Sequence, residues 1–306
     1  MTLPLKIHPE VQEALQAGRP VVALESTLIT HGFPTPDNIR VALDMEAAIR
    51  VQGAIPATIA ILEGEITVGL TSAQIEYLAT VGDVRKCSRR DLAVAMARRE
   101  DGATTVAGTM IVAHMAGIAV FATGGIGGVH RGYPFDTSAD LRELGQTPLT
   151  VVCAGAKAIL DLPLTMEALE THGVAVIGYQ ADQLPAFYSR QSGLPVDVRV
   201  EMPEDVAEII LARDALKLAT GLLVTNPVPV EAEWPAEEAQ TVIDQAIRDA
   251  EAAQITGKDL TPYLLDRINH LSESRSKRAN VALLLNNARL GGQIAVALSQ
   301  KQRAEG

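Results

Sequence analysis

The sequence predicts an α/β protein with three layers, α/β/α, in which a mostly parallel central sheet is followed by a helical C-terminal portion. Two features of the 306-residue chain indicate this fold. Short β-branched, apolar runs alternate with segments of 3.6-residue periodicity, as expected where helices cross between parallel strands. Several of these runs are apolar on both faces, which is typical of a sheet covered by helices on both sides.

Each element follows from its local pattern. Six runs rich in Val, Ile, Leu and Ala are predicted strands, at residues 21–26, 57–62, 118–123, 149–154, 174–179 and 222–226. Periodic segments between them are predicted helices, at residues 37–52, 103–116, 138–144, 165–171 and 204–219. Three further helices are predicted at residues 236–254, 260–271 and 276–301, with breaks at Gly257 and in the serine-rich SESRS. No linker or repeat divides the chain, so we expect one domain over residues 1–306.

Composition limits the possible functions. Lys and Arg number 26 against 37 Asp and Glu, which gives a net charge of −11. This disfavours nucleic acid and anionic membranes as partners, because both are bound through basic surfaces. The two cysteines, Cys87 and Cys153, have no metal-ligand spacing and indicate no disulfide framework. Without a signal-peptide pattern or an uninterrupted apolar run of membrane-spanning length, a cytoplasmic protein is expected.

The segment at residues 121–161 carries most of the candidate chemistry. Its glycine-rich run, TGGIGGVHRG, leads into His130 and Arg131, and the acidic pair Asp136 and Asp140 follows. Glycines allow a ligand to approach the backbone closely, and His and Arg suit an anion. The run matches neither the GxGxxG fingerprint nor a phosphate-binding P-loop. We interpret it as a sugar or phosphate cradle; the alternative is a plain tight turn between strand and helix.

Lys157 and Glu25 are the candidate reactive residues. Lys157 follows an apolar strand, at the edge of the sheet where open α/β folds bind ligands. Apolar surroundings disfavour a charged amine and so favour the neutral nucleophile that a Schiff base requires. Glu25 ends another strand and is placed for proton transfer. The structural alternatives are a surface lysine that begins a helix and a capping or salt-bridging glutamate.

Two polar segments are candidates for binding the ligand. In VRKCSRRD, an extended backbone places Lys86 and Ser88 on one face, where they could grip a phosphate, while Asp91 caps the next helix. We interpret the neighbours Arg89 and Arg90 as a solvated or ion-paired face. Thr104 and Thr105 begin the next predicted helix, either as N-terminal anion contacts or as simple caps.

Asp140 and three asparagines allow two readings each. Asp140 is either a first-turn residue favoured by the helix dipole or an oxygen ligand for Mg²⁺ or Mn²⁺, and spacing alone favours the former. Asn280 is either a helix cap or a ligand contact. Asn286 and Asn287 lie inside the last helix and are expected to serve packing or subunit contacts.

Taken together, these segments resemble the pseudouridine-5′-phosphate glycosidase family nearly end to end. The resemblance rests on PVVALESTLITHGFP, GAIPATIAI, KCSRRD, DGATTVAGTMIVA, FATGGIGGVHRG, FDTSADL, VVCAGAKAILD and the Asn-Pro pair at residues 226–227. It implies reversible cleavage of pseudouridine 5′-phosphate into uracil and ribose 5-phosphate. It further implies ribose ring opening, a lysine Schiff base and a homotrimer with an α/β/α core.

The resemblance also implies a role for each matching residue. Lys157 would form the Schiff base, Glu25 would transfer the proton at the ring oxygen, and Asp140 would bind a divalent cation. That cation would be Mn²⁺, with Mg²⁺ or another divalent ion as the alternative. Lys86, Ser88, Thr105, His130 and Asn280 would contact the sugar phosphate or take part in catalysis, and Thr123 would contact the base.

Two other functions stay open at this point. One is a different Schiff-base enzyme acting on sugar phosphates, such as an aldolase or lyase. The other is a sugar-phosphate sensor without turnover. Such a sensor needs the phosphate contacts but not Glu25, Lys157 and Asp140 together, and all three are present.

Overall fold

The computed structural model of the chain describes residues 5–255 and 260–305, so the predicted break at Gly257 lies outside the described residues. The predicted α/β class is confirmed: over this part of the chain the fold has three layers around an 11-stranded, mostly parallel sheet. Its main path runs in the order β1-β4-β3-β2-β7-β10-β14-β12-β13, with β6 joined to β3 and β5 to β6. The strands are β1 Leu5–Ile7, β2 Val21–Leu24, β3 Ile55–Leu62, β4 Glu65–Val68, β5 Arg85–Cys87, β6 Gly102–Thr104, β7 Val120–Ala122, β8 Val129–His130, β9 Tyr133–Thr137, β10 Thr150–Cys153, β11 Leu160–Asp161, β12 Ala175–Tyr179, β13 Val198–Val200 and β14 Leu222–Thr225.

Helices connect and cover these strands. They are α1 Pro9–Gln16, α2 Asp37–Val51, α3 Ser72–Thr80, α4 Arg89–Arg98, α5 Val106–Ala116, α6 Ala139–Leu144, α7 Leu162–Thr171, α8 Pro203–Ala215, α9 Ala236–Ala252, α10 Leu260–Leu271 and α11 Arg275–Glu305. Short helical turns are added at Leu28–Gly32 and Val230–Ala232. The main apolar core extends from Val11 to Leu298, and a smaller cluster around Ile29 and Ile75 lies apart from it. The single domain stays a prediction.

The third strand changes partners along its length and thereby shapes the sheet edge. Leu24 of β2 pairs with Thr58, and the rest of β3 pairs instead with β4 and β6. Since β2 ends at this level, Ser26 and Thr27 bond to Thr104 at the end of β6 rather than to another long strand. The sheet therefore opens beside Glu25.

The helix α11 is the longest described helix and is long and apolar enough to cross a membrane, but 61% of its most apolar stretch is buried inside the protein. It packs on α2, α8 and the strands β2, β7 and β10. A Cβ atom at Gly291 would lie 3.1 Å from Ala122 Cβ, so the glycine lets the helix approach the sheet closely. Such burial is typical of a core helix.

Several boundaries differ from the sequence-based prediction. The predicted helix at residues 103–116 begins later, at Val106, because Gly102–Thr104 is a buried strand paired with β3 and β5. The helix predicted to reach residue 219 ends at Ala215. The glycine run was predicted without secondary structure, but its end forms a small sheet in the order β11-β8-β9.

Candidate active site

The polar candidates collect where neighbouring strands end. Glu25 directly follows β2, Thr123 follows β7, and Asn226 follows β14. Ser88 and Thr105 directly follow β5 and β6. In open α/β sheets the carboxyl ends of parallel strands form the ligand-binding edge. The structure therefore brings residues from distant segments of the sequence to one rim.

Glu25 is held between two threonine hydroxyls. Thr27 donates to its Oε2 atom and Thr123 donates to its Oε1 atom. Thr123 is only 1% exposed, so its hydroxyl has no ready alternative partner in water. The side chain that the resemblance assigns to base contact thus orients the acid–base candidate, and contact with the base stays a prediction.

The backbone around Lys157 is fixed to the glycine run by a ladder of hydrogen bonds. Ala154 N donates to Gly124 O at 2.8 Å, and Ile126 N donates to Gly155 O at 3.1 Å. Lys157 N then donates to Ile126 O at 3.1 Å. The two loops therefore run side by side, and Lys157 is partly buried beside them. Among the residues that the structure describes, no carboxylate forms an ion pair with its amine.

Two tight backbone approaches shape this loop pair. Gly155 has a φ of +83°, and a Cβ atom there would collide with Pro185 O. Only glycine fits such a position without strain. At Gly125 a Cβ atom would lie 2.7 Å from the Phe187 ring. These glycines are needed for packing within the protein, which is a different reason from the ligand access that the sequence suggested.

His130 lies within reach of two lysines and one carboxylate. Burial lowers the pKa of the His130 imidazole, the nearby Asp136 opposes that shift, and the charges of Lys157 and Lys86 add to it. The lowered pKa makes this imidazole a weaker base, and an anion bound beside it would favour its charged form. Lys86, His130 and Lys157 thus form a local basic cluster on an acidic chain, as an anionic ligand requires.

Ser88 and Thr105 begin two adjacent helices. Strands β5 and β6 are parallel, Cys87 pairs with Thr104, and Thr105 N donates to Cys87 O at 2.9 Å. Ser88 is the N-cap of α4, and Thr105 is the N-cap of α5. Two helix N-termini side by side present amide groups and dipole ends that favour an anion. Capping and anion binding are compatible roles here, since Thr105 also accepts from Gly108 N.

The arginines near the site are engaged by the protein itself. Arg89 forms two bonds with Glu143, at 2.7 and 2.8 Å, and Arg90 is exposed, which confirms the predicted ion-paired or solvated face. Arg131 donates to the carbonyls of Leu160 and Ala158 and pairs with Asp244. Arg131 therefore braces β8 against the segment after Lys157, and these contacts commit three of its nitrogens.

Asp140 is buried, and its carboxylate joins the first turn of α5 to the glycine run. Ala107 N donates to its Oδ1 atom at 2.9 Å, and Gly127 N donates to its Oδ2 atom at 2.8 Å. The neighbouring Asp136 is exposed and accepts no hydrogen bond from the described side chains or amides. Among the described residues, no group of three or more His, Cys, Asp or Glu side chains is arranged so that it could hold a metal ion. A divalent ion here would therefore be bound by one carboxylate of the protein, and water or phosphate oxygens would supply its other ligands. Such coordination is common for Mg²⁺.

The last helix supplies support that the sequence did not identify. Asn287 is fully buried, accepts from Asn226 at 3.2 Å and donates to Thr123 O at 2.8 Å. The side-chain amide of Asn280 lies next to the glycine run: a Cβ atom added at Gly124 would be 3.6 Å from its Oδ1 atom. Asn287 was expected to serve packing, and its burial agrees, but its hydrogen bonds also position the site. The mid-helix asparagine inside an apolar run was the available signal.

Comparisons with known proteins identify the family. The family described as "Indigoidine synthase A like protein" matches residues 10–297. A protein of Solibacter usitatus named pseudouridine-5′-phosphate glycosidase is 54% identical over 96% of this chain and 99% of its own. A protein of the same name from Paracoccus denitrificans is 55% identical over 96% and 98% of the two chains.

Solved structures agree with this assignment. The prealnumycin C-glycosynthase AlnA, solved in complex with ribulose 5-phosphate, has a TM-score of 0.91 and 40% identity, covering 98% of both chains. An indigoidine synthase A-like protein from Thermotoga maritima has a TM-score of 0.89 and 33% identity, with the same coverage. The chain belongs to the indigoidine synthase A-like family, and the resemblance to pseudouridine-5′-phosphate glycosidases is confirmed by relatives of that name.

Proposed function

We propose that this chain is an enzyme that reversibly cleaves the C–C glycosidic bond of pseudouridine 5′-phosphate, giving uracil and ribose 5-phosphate. The relatives that carry this activity in their name share more than half of its residues over nearly the full length. The observation that carries the proposal is the arrangement of Glu25 between two hydroxyls at the same sheet edge as the basic cluster of Lys86, His130 and Lys157.

The chemical difficulty is that uracil leaves from carbon. Cleavage by the two-carboxylate route of O-glycosidases would place a negative charge on C5 of the base. In the proposed route Glu25 gives a proton to the ribose ring oxygen, and electrons from the pyrimidine open the sugar to a C1′=C5 double bond. The amine of Lys157 then adds at C1′, and C5 gains a proton.

Bond cleavage then becomes feasible. The C1′–C5 electrons return to the pyrimidine ring and release uracil, while the lysine nitrogen forms an imine with C1′. Water adds to the imine and frees ribose 5-phosphate and the Lys157 amine. Over the whole cycle one water molecule is consumed. The N-termini at Ser88 and Thr105, together with Lys86, would hold the phosphate while the sugar is open.

We also propose a divalent cation, Mn²⁺ or in its place Mg²⁺, at the acidic segment after the glycine run. When bound, it would neutralise negative charge next to the phosphate. The resemblance assigns the ion to Asp140, whose oxygens already accept two backbone N–H groups. Asp136 offers a more accessible carboxylate. Titration of the variants Asp140→Asn and Asp136→Asn with Mn²⁺ in an isothermal calorimeter distinguishes the two candidate ligands. Mn²⁺ binding should be lost only in the variant whose aspartate binds the ion.

The function is tested by incubating the protein with pseudouridine 5′-phosphate and Mn²⁺ and measuring uracil by chromatography. We expect uracil to appear with wild-type protein and not with Lys157→Ala. No uracil from folded wild-type protein would contradict the proposal and favour the sensor or the aldolase reading. Incubation of uracil with ribose 5-phosphate tests the reverse direction. That direction is of interest because the similar solved structure is named a C-glycosynthase.

The resemblance supports two further proposals, a homotrimer and a cytoplasmic location. The isolated chain exposes apolar side chains that an assembly would cover, including Phe135 at 100% and Val51 at 81%. Light scattering during gel filtration tests the assembly. A mass three times that of the chain supports the trimer, and the mass of a single chain contradicts it.

A further inference from the structure

The hydroxyl of Thr27 lies between two acceptors. It donates to Glu25 Oε2, and it also lies 3.0 Å from the backbone carbonyl of Thr104 in donating geometry. A threonine hydroxyl has a single hydrogen, and its oxygen can accept as well as donate. At any moment the hydrogen can therefore point to only one of these two acceptors.

The second acceptor is held in place. Thr104 is fully buried, its amide donates to Ser26 Oγ at 2.9 Å, and its hydroxyl donates to Ile59 O at 2.8 Å. Thr109 donates to the Thr104 hydroxyl at 2.8 Å. Thr27 itself is only 9% exposed, so solvent offers little substitute for either bond. The Thr104 carbonyl is therefore a fixed partner that does not depend on the state of Glu25.

We propose that Thr27 is a positioning residue that serves both protonation states of Glu25. When Glu25 is ionised, the Thr27 hydrogen points to its Oε2 atom. When Glu25 carries the proton, its O–H group donates to Thr27 Oγ1, and the Thr27 hydrogen turns to the Thr104 carbonyl. The carboxyl group keeps the same orientation in both states, and no buried donor is left without an acceptor. This inference rests on the proton-transfer role proposed for Glu25.

Thr123 provides the contrast within the same site. Its hydroxyl donates to Glu25 Oε1, and no second acceptor for that hydroxyl occurs among the described residues. Thr123 therefore stabilises the ionised carboxylate, while Thr27 alone follows the proton. An acid–base group that changes its protonation state twice per cycle gains most from a partner with two acceptors, as Thr27 has. A buried donor left without an acceptor is costly.

The test compares Thr27→Ser, which keeps the hydroxyl, with Thr27→Val, which keeps the shape and removes it. Thr241→Val is the matched control, since Thr241 is exposed on α9 and bonds only to a carbonyl of its own helix. For uracil release we expect kcat of Thr27→Val to fall about tenfold to hundredfold, a part of the general acid–base contribution, with KM within about twofold. Thr27→Ser should keep kcat within about threefold, and all three variants should melt within a few degrees of wild type. If Thr27→Val does not fold, Thr27→Ala replaces it with the same expectation.

The outcomes separate this inference from the proposed function. A Thr27→Val enzyme with the kcat of Thr241→Val would overturn the inference, as would a Thr27→Ser enzyme as slow as Thr27→Val. Glu25→Gln is measured in parallel. Full activity of Glu25→Gln would instead remove the proton-transfer role of Glu25, and with it the basis on which Thr27 was assigned.

Discussion

The hydroxyl of Thr123 donates to the carboxylate of Glu25, so the residues that follow β7 and β2 are joined by a side-chain contact at the ligand-binding edge. The same threonine accepts from Asn287 through its carbonyl, at 2.8 Å. The long C-terminal helix thus fixes Thr123, and Thr123 fixes Glu25. This chain of contacts extends from α11 to the proposed proton-transfer group.

The first prediction concerns this contact. Replacing Thr123 by Val removes the donor and keeps the shape, so Glu25 loses one of its two orienting bonds. We expect kcat for uracil release to fall about tenfold, the equivalent of a hydrogen bond to a charged group. Thr123→Ser should retain most activity. Equal kcat values for Thr123→Val and wild type would show that the contact does not matter for turnover.

The second prediction tests the backbone beside Lys157. Gly155→Ala combines a positive φ with a collision at Pro185 O, whereas Gly193 has a φ of +82° and open space around its Cβ position. Both alanine variants carry the backbone strain of about 1–2 kcal/mol, but only Gly155→Ala displaces the loop. We expect Gly155→Ala to lose at least tenfold in activity and Gly193→Ala to stay near wild type. Parallel losses in activity would refute the steric argument.

The third prediction concerns the buried acid that ties α6 to α4. Burial opposes ionisation of Glu143, which is 1% exposed, but hydrogen bonds from Arg89, Thr147 and Gln146 outweigh it and hold its pKa below the ordinary value. A lowered carboxyl pKa stabilises the fold above the unfolded-state pKa, and this stability is lost as pH falls through the folded-state pKa. Chemical denaturation should show Glu143→Ala less stable by about 1–3 kcal/mol at pH 7, since the buried Thr147 hydroxyl loses its acceptor while the half-exposed Arg89 can turn to water.

The difference should shrink in acid. Wild type should lose more stability than Glu143→Ala between pH 5 and about pH 3, because only wild type has this carboxylate to protonate. A constant difference over that range would contradict the assignment. Arg90→Ala is the control: Arg90 is exposed and its ion pair at 3.8 Å is too weak to matter.

The fourth prediction concerns protons taken up with the ligand. Burial, opposed by Asp136 and aided by Lys157 and Lys86, lowers the His130 pKa, so its imidazole is neutral at pH 7. A bound phosphate would favour the charged form and raise that pKa. At pH 6.5, calorimetric titration with ribose 5-phosphate in two buffers of different ionisation enthalpy should show greater proton uptake by wild type than by His130→Asn. Equal uptake would place the phosphate away from His130.

The sequence was sufficient for the main sheet because its strands are continuous apolar runs. Five of the six predicted strands overlap strands whose pairing along the sheet is parallel. The sixth, at residues 57–62, falls within β3, which pairs in parallel with β2 in its first half and antiparallel with β4 in its second half. The strand β6 was missed because GAT is short and its pairing depends on β3 and β5, which lie far away in the sequence. Local patterns carry no information about such partners, and tertiary contacts overrode the helical interpretation there.

Candidate residues were easier to name than their contacts. Glu25 and Lys157 were found from their position at strand ends, a rule that holds for open sheets, and Thr123 was found from the family resemblance. That Thr123 would bond to Glu25, or that Arg131 would turn to the carbonyls of Ala158 and Leu160, depends on loop paths that no spacing rule specifies. The role of Asn287 was missed for the same reason.

The central claim is that the Lys157 amine forms the covalent bond with the sugar. Wild-type protein is incubated with ribose 5-phosphate and sodium borohydride, and the modified peptide is identified by mass spectrometry. We expect one reduced pentose phosphate attached to Lys157, with no addition in Lys157→Ala. Attachment at a different lysine, or no attachment to an enzyme that still releases uracil, would contradict the account.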